Sequence, residues 1–211
     1  MDDSDDRLFY AQPRFVVHID EQAIAAIGEF FQQAIPADSA ILDLMSSWRS
    51  HFPAGFAKRK LIGLGLNEAE MADNPQLDEW VVHDLNANPI LPFQDESFDA
   101  VVLTVSVQYL VKPIEVFQQV NRILKAGGPF HVVCSNRMFP TKAVAIWQML
   151  DDRQRVQLVA SYFVKAGGWE TPQALDLSPR SDSYADPVYV VTARKQSGTS
   201  SAQGLGAPGI R

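Results

Sequence analysis

Residues 91–102 read Leu-Pro-Phe-Gln-Asp-Glu-Ser-Phe-Asp-Ala-Val-Val and lead from a polar turn directly into an apolar run. The run extends to Val107 and contains only Thr104 and Ser106 as polar residues. A nearly continuous apolar strand is typical of a parallel sheet, in which helices bury both faces of each strand. This stretch therefore predicts a central parallel strand.

Similar short apolar runs occur on both sides of it, separated by polar stretches compatible with helices. They are Ile41 to Met45, Leu61 to Leu66, Trp80 to Leu85 and Phe130 to Cys134. One helix is predicted between the cap Asp20 and the stop Pro36, and others over Pro113 to Leu124, Thr141 to Leu150 and Asp152 to Ala166. This alternation indicates an α/β protein with a doubly wound sheet.

The two ends of the chain depart from this alternation. Trp169 and the run Val188 to Ala193 are joined by a polar, proline-containing loop, which predicts a C-terminal antiparallel hairpin. The acidic start, residues 1–6, and the polar residues 196–211 are predicted to be disordered tails. We expect an N-terminal segment over residues 1–19 and one α/β domain over residues 20–195.

Composition excludes several classes of protein. The 211 residues carry 18 Lys and Arg against 25 Asp and Glu, a net charge of −7, which disfavours nucleic acid as a partner. No apolar run approaches the roughly 20 residues that a bilayer span requires. The single cysteine, Cys134, excludes a disulfide scaffold and favours a cytoplasmic location. The four histidines lack metal-binding spacing, so we expect no metal site.

Three segments carry a family resemblance: Val82-His-Asp84, then Leu91 to Asp99, then Leu124-Lys-Ala-Gly-Gly128. In order and spacing they resemble the class I S-adenosylmethionine-dependent methyltransferases, particularly the small-molecule branch that includes ubiquinone and menaquinone biosynthesis enzymes. The resemblance covers roughly residues 40–135. It implies a Rossmann-like, mostly parallel sheet of seven strands with helices on both faces and a C-terminal antiparallel hairpin.

The same resemblance implies an enzyme that binds S-adenosylmethionine and methylates a small molecule. The residues at the positions of the family's cofactor site are Asp43, Ser46, Ser47, Asn67, Asp84, Leu85, Thr104 and Val105. Asp43 would set the cofactor loop, and the two serines would lie beside the methionine part. Asp84 would accept a hydrogen bond from the adenine amino group, and the Leu85 amide would meet a ring nitrogen. The last two residues would flank the sulfonium.

The chain departs from the family pattern at two places. The family's D-x-G-x-G-x-G motif is replaced by Asp43-Leu-Met-Ser-Ser-Trp-Arg49, which has no glycine. The acid that holds the ribose hydroxyls in the family aligns with Gly65. Asn67, two residues later, has two roles open to it: it can hydrogen bond to a hydroxyl, or it can cap the short helix that follows.

His18 is the candidate catalytic residue, because an imidazole can act as a general base near neutral pH. An exposed or helix-capping histidine is the alternative interpretation. In the family, residues ahead of the core often cover the substrate. We therefore expect the acceptor to be selected by residues before Asp20 and around residues 136–141.

Two other functions are considered. Met45 and Arg49 at glycine positions are compatible with a methyltransferase-like protein whose closed pocket leaves a non-catalytic interaction or regulatory role. A nicotinamide-dependent oxidoreductase is disfavoured, because no G-x-G-x-x-G sequence follows the first strand.

Overall fold

The computed structural model describes residues 6–180 and 184–198, and this part of the chain contains one seven-stranded sheet. The strands are β1 (Ser39–Leu44), β2 (Lys58–Gly65), β3 (Glu79–Val82), β4 (Ala100–Thr104), β5 (Pro129–Cys134), β6 (Gln173–Asp176) and β7 (Tyr189–Arg194). Their order is β3-β2-β1-β4-β5-β7-β6. The first five strands are parallel, and β7 is antiparallel to both β5 and β6. The predicted doubly wound sheet and its C-terminal antiparallel hairpin are confirmed.

The helices are α1 (Asp6–Phe9), α2 (Glu21–Ala34), α3 (Glu68–Ala72), α4 (Pro113–Ile123), α5 (Ala145–Met149) and α6 (Asp152–Ala166), with a 3-10 turn at Val107–Tyr109. Local signals set most of their ends. The Asp20 carboxylate accepts a hydrogen bond from Ala23 N at the start of α2, and Pro113 is the first residue of α4. Asp151 caps α6, which ends at Gly167.

The prediction of a helix over residues 141–150 with Thr141 as its cap was wrong. Only Ala145–Met149 is helical, and the residue before this helix is Val144. The backbone N–H groups of Lys142 and Ala143 instead bond to the Phe139 carbonyl in a turn. The buried Lys142 side chain forms an ion pair with Asp6, so a tertiary contact replaces the predicted first turn.

The expected tails lie mainly outside the described residues, which exclude 1–5 and 199–211. Two residues of the predicted tails lie inside the described part, and both form ordered contacts. Asp6 belongs to α1, where Lys142 pairs with its carboxylate. Gln196 is hydrogen bonded to the backbone of Gly168 and Trp169.

Two apolar clusters cover the faces of the sheet. On one face, Phe117 of α4 and Phe163 of α6 pack against Phe130 of β5, with ring centroids 4.8–5.5 Å apart. On the other face, α2 buries Ile27 and Phe31 completely. Within the described residues, no helix combines the length and apolar character that crossing a bilayer requires. The packed sheet supplies a rigid platform for the loops at its carboxyl edge.

The carboxyl ends of β1 and β2 approach each other unusually closely. Ser46 N donates to the Leu64 carbonyl at 2.8 Å, and a Cβ atom placed on Gly65 would lie 2.2 Å from the Ser46 carbonyl oxygen. Met45 makes this turn with a φ of 57°. The glycine that a close backbone approach demands is therefore in β2, whereas the family motif has its glycines in the loop after β1. No acidic side chain fits at position 65.

Two aspartates lie at opposite ends of the central strands. Asp43 in β1 is buried, and its Oδ2 accepts hydrogen bonds from Ser46 Oγ at 2.7 Å and Ser50 Oγ at 2.6 Å. Burial raises the pKa of Asp43 to about 6, against the lowering effect of the two hydroxyls. Asp99, before β4, accepts from Ala40 N and pairs with Lys125. Desolvation raises the pKa of Asp99, but these partners outweigh it and hold the pKa below its usual value.

Gly65→Ala is expected to lower the free energy of unfolding by about 1–3 kcal/mol or more, because the new methyl group meets backbone that cannot yield easily. Gly28→Ala is the matched control, since its Cβ would be 3.4 Å from the nearest atom and it lies in α2. The control should be neutral or stabilised by about 0.5–1 kcal/mol. Urea unfolding measures both variants, and equal stability of Gly65→Ala and the wild type would contradict the close approach.

Asp43 is also expected to affect the pH dependence of stability. The folded state holds the Asp43 proton up to about pH 6 and the unfolded state only to about pH 4, so ionisation disfavours folding as the pH rises between these values. Relative to wild type, Asp43→Asn should therefore gain up to about 3 kcal/mol between about pH 4 and pH 7. Asp99→Asn is the control: the pKa of Asp99 is lowered, so its difference from wild type should stay constant over this range. Urea unfolding at several pH values distinguishes the two.

Candidate functional site

The loops that follow β1, β2, β3 and β4 surround a cavity of about 850 Å³, a volume that includes its open mouth. We call it the main cavity. Seven of the nine residues predicted to form the site line it: His18, Ser46, Ser47, Asn67, Asp84, Leu85 and Val105. The carboxyl edge of the sheet is where an open α/β fold binds its ligands. Tertiary structure thus brings together residues from four separate loops and from the N-terminal segment.

The other two predicted residues, Asp43 and Thr104, line a smaller adjoining recess. Thr104 Oγ1 is buried, and no hydrogen bond to it is found within residues 6–180 and 184–198. His51 also faces this recess, and burial lowers its pKa to about 4. His18 and Ser46 line both spaces, so the recess is continuous with the main cavity.

Side chains hold the loop after β1 in place of the missing glycines. Besides the two serine hydroxyls on Asp43, Ser47 Oγ donates to Glu70 Oε2 at 2.6 Å. Asn74 Nδ2 donates to the Ser47 carbonyl and to Ser50 Oγ, both at 2.9 Å. These partners come from α3 and the residues after it, so the loop conformation depends on tertiary contacts.

Trp48 and Arg49, the two bulkiest residues of this loop, lie along the recess and do not line the main cavity. Trp48 Nε1 donates to the Val16 carbonyl at 3.0 Å. The Arg49 guanidinium stacks 3.9 Å from the centroid of the Trp48 ring and contacts the Asp73 carboxylate at 3.6 Å. Trp48 and Arg49 therefore leave the main cavity open, whereas Met45, at the first glycine position, forms part of its wall.

The turn after β3 forms one end of the main cavity. Asp84 Oδ1 accepts hydrogen bonds from Asn86 N and Ala87 N, both at 3.0 Å, while Leu85 is buried. Asn86 was not predicted from the sequence; its Nδ2 donates to the Asp6 carboxylate and to the Tyr109 carbonyl. It fixes this turn to α1 and to the loop after β4.

Asn67 has the capping role that the sequence left open. Its Oδ1 accepts from Glu70 N at 3.0 Å, and its Nδ2 donates to the Tyr10 carbonyl at 2.8 Å. Contact with a ribose hydroxyl would require Tyr10 to move, and that role stays a prediction. The nearby acid in the cavity wall is Glu70, which is 7% exposed. The sequence identified it only as an acidic residue in the first turn of α3.

Residues 6–19, which we call the N-terminal cover, cross the cavity. Asp6 forms an ion pair with Lys142 at 3.0 Å, the Tyr10 carbonyl is bonded to Asn67, and Arg14 N donates to Glu70 Oε1 at 2.7 Å. No sequence motif marked these residues. Their role follows from contacts with loops 56 to 136 positions away in the chain.

His18, the predicted catalytic residue, lies where three spaces meet. It lines the main cavity, the recess and a third pocket shared with Tyr109, Arg137 and Phe139. Its ring makes an edge contact with Phe139 at a centroid distance of 4.8 Å. Loss of water around the ring is the largest effect and lowers the pKa of His18; the Glu70 carboxylate opposes it, Arg14 acts in the same direction as burial, and the net shift is downward. The imidazole is therefore neutral at pH 7 and able to accept a proton.

No group of three His, Cys, Asp or Glu side chains in the described ranges is arranged to hold a metal ion. Cys134 is buried in β5, and burial raises the pKa of its thiol to about 12. The functional groups at the site are therefore carboxylates, hydroxyls, amides, the imidazoles of His18 and His83, and the Arg14 guanidinium.

Part of the chain is similar to known proteins. Residues 56–132 match a model described as a methyltransferase domain. The matched range includes β2, β3, β4 and the turn that carries Asp84. Over 73 residues the chain is 32% identical to the biotin biosynthesis bifunctional protein BioHC of Teredinibacter turnerae. Those residues are 35% of this chain and only 12% of that protein.

Solved structures share the fold over most of the chain. The [4+2]-cyclase SpnF matches with a TM-score of 0.62 and 15% identity, covering 88% of this chain and 89% of that one. An S-adenosylmethionine dependent methyltransferase from Mesorhizobium loti matches with a TM-score of 0.53 and 16% identity, covering 81% and 98%. At these identities the likeness concerns the fold. The narrower resemblance to ubiquinone and menaquinone enzymes stays a prediction.

The matched model and the shared strand arrangement lead to the same assignment. The five parallel strands and the antiparallel β7 place every cavity loop at the edge where the sequence motifs predicted it. Residues 56–132 therefore match a methyltransferase domain, and the described chain shares its fold with solved S-adenosylmethionine dependent methyltransferases.

Proposed function

We propose that this protein is an S-adenosylmethionine-dependent methyltransferase that acts on a small molecule, with the donor held in the main cavity. The observation that carries the proposal is that seven residues selected from the sequence, most of them through one family resemblance, line a single cavity at the carboxyl edge of the sheet. A buried strand end would not by itself bring these residues around open space.

The residues of the cavity fit the chemistry of the donor. The donor supplies a methyl group on a positively charged sulfur, which an acceptor nucleophile attacks in line. Asp6, Glu70 and Asp84 line the cavity, and their carboxylates favour a cationic ligand. Asp84 also offers acceptor oxygens for an adenine amino group, and Leu85 lies beside it.

Backbone strain at the cavity supports a functional role. Met45 after β1 and Val105 after β4 both have left-handed backbone angles, with φ of 57° and 50°. For a β-branched residue such as Val105 this conformation is a genuine outlier. Strain of about 1–3 kcal/mol per residue is typically retained where a ligand site needs it. Both residues line the main cavity.

His18 is the group that we assign to proton transfer. Its ring is neutral at pH 7 and borders both the main cavity and the third pocket, through which an acceptor would approach. Tyr109 and Phe139 also line that pocket, and the Phe139 ring is in edge contact with His18. Together these side chains would orient the acceptor, and His18 would remove its proton as the methyl group is transferred.

The non-catalytic alternative has less support. It was based on Met45 and Arg49 at glycine positions; Arg49 lies outside the main cavity, and Met45 lines the cavity of about 850 Å³ without closing it. The fold alone does not choose the reaction, since one structural neighbour is a [4+2]-cyclase. Ligand binding is therefore the primary test.

Wild-type protein is expected to melt several degrees higher with S-adenosylhomocysteine or S-adenosylmethionine, since a ligand at 100 times its dissociation constant stabilises by about 2.7 kcal/mol. Asp84→Ala should lose most of this shift. Asp84→Asn retains an oxygen acceptor for the turn at Asn86 N and so separates loss of charge from loss of the turn. Differential scanning fluorimetry and calorimetric titration measure both effects.

Glu29→Ala, an exposed acid on α2 remote from the cavity, is the matched control and should keep the full shift. Absence of any shift in the wild type would favour the non-catalytic alternative. An unchanged shift in Asp84→Ala would remove the adenine assignment. A titration with NADH, expected to show no binding, tests the nicotinamide alternative.

His18→Gln is expected to lower methyl transfer by about 10²- to 10⁴-fold while changing the affinity for S-adenosylhomocysteine by less than about twofold. Transfer of labelled methyl groups to a panel of small acceptors measures it. Because the pKa of His18 is lowered, wild-type activity should stay constant above about pH 6.5 and decline only at more acidic pH. A full rate in His18→Gln, or an unchanged acidic decline, would exclude His18 as the base.

A further inference from the structure

Arg14 of the N-terminal cover is held rigidly in the wall of the main cavity. Its guanidinium carbon lies 4.3 Å from the centroid of the Phe9 ring and 5.7 Å from that of Phe139. Nη2 donates to the Phe9 carbonyl at 2.8 Å, and the backbone N–H donates to Glu70. The stacking and the hydrogen bonds orient the planar group in advance of any ligand.

One side of this guanidinium has no protein partner. Nη1 is shielded from solvent, and no acceptor for it occurs among the described residues. Arginine keeps its charge at all relevant pH values. A buried donor without an acceptor costs about 1–3 kcal/mol, and more when the group is charged. The structure therefore maintains an unsatisfied cationic donor beside the cavity.

The two nearest carboxylates do not neutralise this charge. Asp6 directs one oxygen to Lys142 and the other to Asn86. Glu70 accepts from Ser47 Oγ with Oε2 and from the backbone of Arg14, not from its side chain, with Oε1. Within residues 6–180 and 184–198, Arg14 forms hydrogen bonds and ring contacts but no ion pair.

We propose that Arg14 binds a carboxylate group of a ligand in the main cavity, an inference that rests on the proposed methyl-transfer function. A guanidinium pairs with a carboxylate through two parallel hydrogen bonds, and within the described residues no protein acceptor competes for Nη1.

Two sources can supply this carboxylate. One is the amino-acid end of the donor, and the other is an acidic group on the acceptor. The main cavity extends from Asp84 to Phe139 and is therefore able to contact both molecules. The same chemistry recognises either source, so the test must distinguish them.

The test compares wild type with Arg14→Gln by calorimetric titration of three probes. S-adenosylhomocysteine carries the amino-acid carboxylate, 5′-methylthioadenosine has the same adenosyl thioether without it, and malonate represents an acidic acceptor. Loss of a charge-assisted pair is expected to lower the affinity for the probe that Arg14 contacts by about 10- to 100-fold. Arg155→Gln is the matched control, because Arg155 stacks on Trp147 and pairs with Asp152 away from the cavity.

If Arg14 binds the donor, Arg14→Gln lowers the affinity for S-adenosylhomocysteine and leaves the affinity for 5′-methylthioadenosine unchanged. If Arg14 binds the acceptor, Arg14→Gln has the wild-type affinity for S-adenosylhomocysteine. Malonate then no longer binds to the variant that is saturated with S-adenosylhomocysteine. An equal effect on both adenosyl ligands, or no effect on any probe, overturns the proposal. Arg14→Lys, which keeps the charge but loses the paired donors, should be intermediate.

A different result would contradict the proposed function. If the wild type binds neither adenosyl ligand, methyl transfer is excluded, and malonate titration of the ligand-free protein still tests Arg14. Malonate binding that Arg14→Gln removes would support a carboxylate site independent of the donor. Absence of malonate binding to the wild type as well would overturn it. Melting curves of each variant check that the N-terminal cover remains folded.

Discussion

The close contact between the Ser46 carbonyl and Gly65 is the constraint on which the site depends. A Cβ atom at position 65 would be 2.2 Å from that oxygen, so β2 must end in glycine for β1 to turn as it does. This one contact accounts for both departures from the family motif. The glycine is on the second strand, and an acid cannot stand beside it. The acid of this region is instead Glu70, one turn into α3.

The glycine-less loop after β1 is held by a polar network in place of backbone flexibility. Asp43, Ser46, Ser47, Ser50 and Glu70 are joined by hydroxyl–carboxylate hydrogen bonds of 2.6–2.7 Å. Such a network is costly to bury unless every member is satisfied, but once satisfied it specifies one conformation. Since the network includes a buried carboxyl whose pKa is raised to about 6, the stability of the loop is coupled to pH.

The N-terminal cover gives the cavity its individual chemistry. Met45 and Val105 shape the floor at the ends of two central strands, as the fold requires. Arg14, His18 and Phe139 come from segments outside the strand motifs, and they meet above that floor. A fold that also serves a [4+2]-cyclase acquires its reaction from such groups. Under the proposed function, we therefore expect the choice of acceptor to depend on these side chains and not on the sheet.

The sequence by itself determined the sheet and which of its edges carries the cavity loops. Apolar periodicity and the segments around Asp84 and Asp99 are local patterns that can be recognised without knowledge of the tertiary structure. Six of the residues selected from the sequence follow strand ends, and they line one cavity together with His18 of the N-terminal segment. Only the tertiary structure decided that Thr141 begins no helix, that Asn67 caps α3 while binding Tyr10, and that Arg14 and Glu70 belong to the site. These contacts join residues far apart in the chain, and their energies depend on packing and burial that no local pattern records.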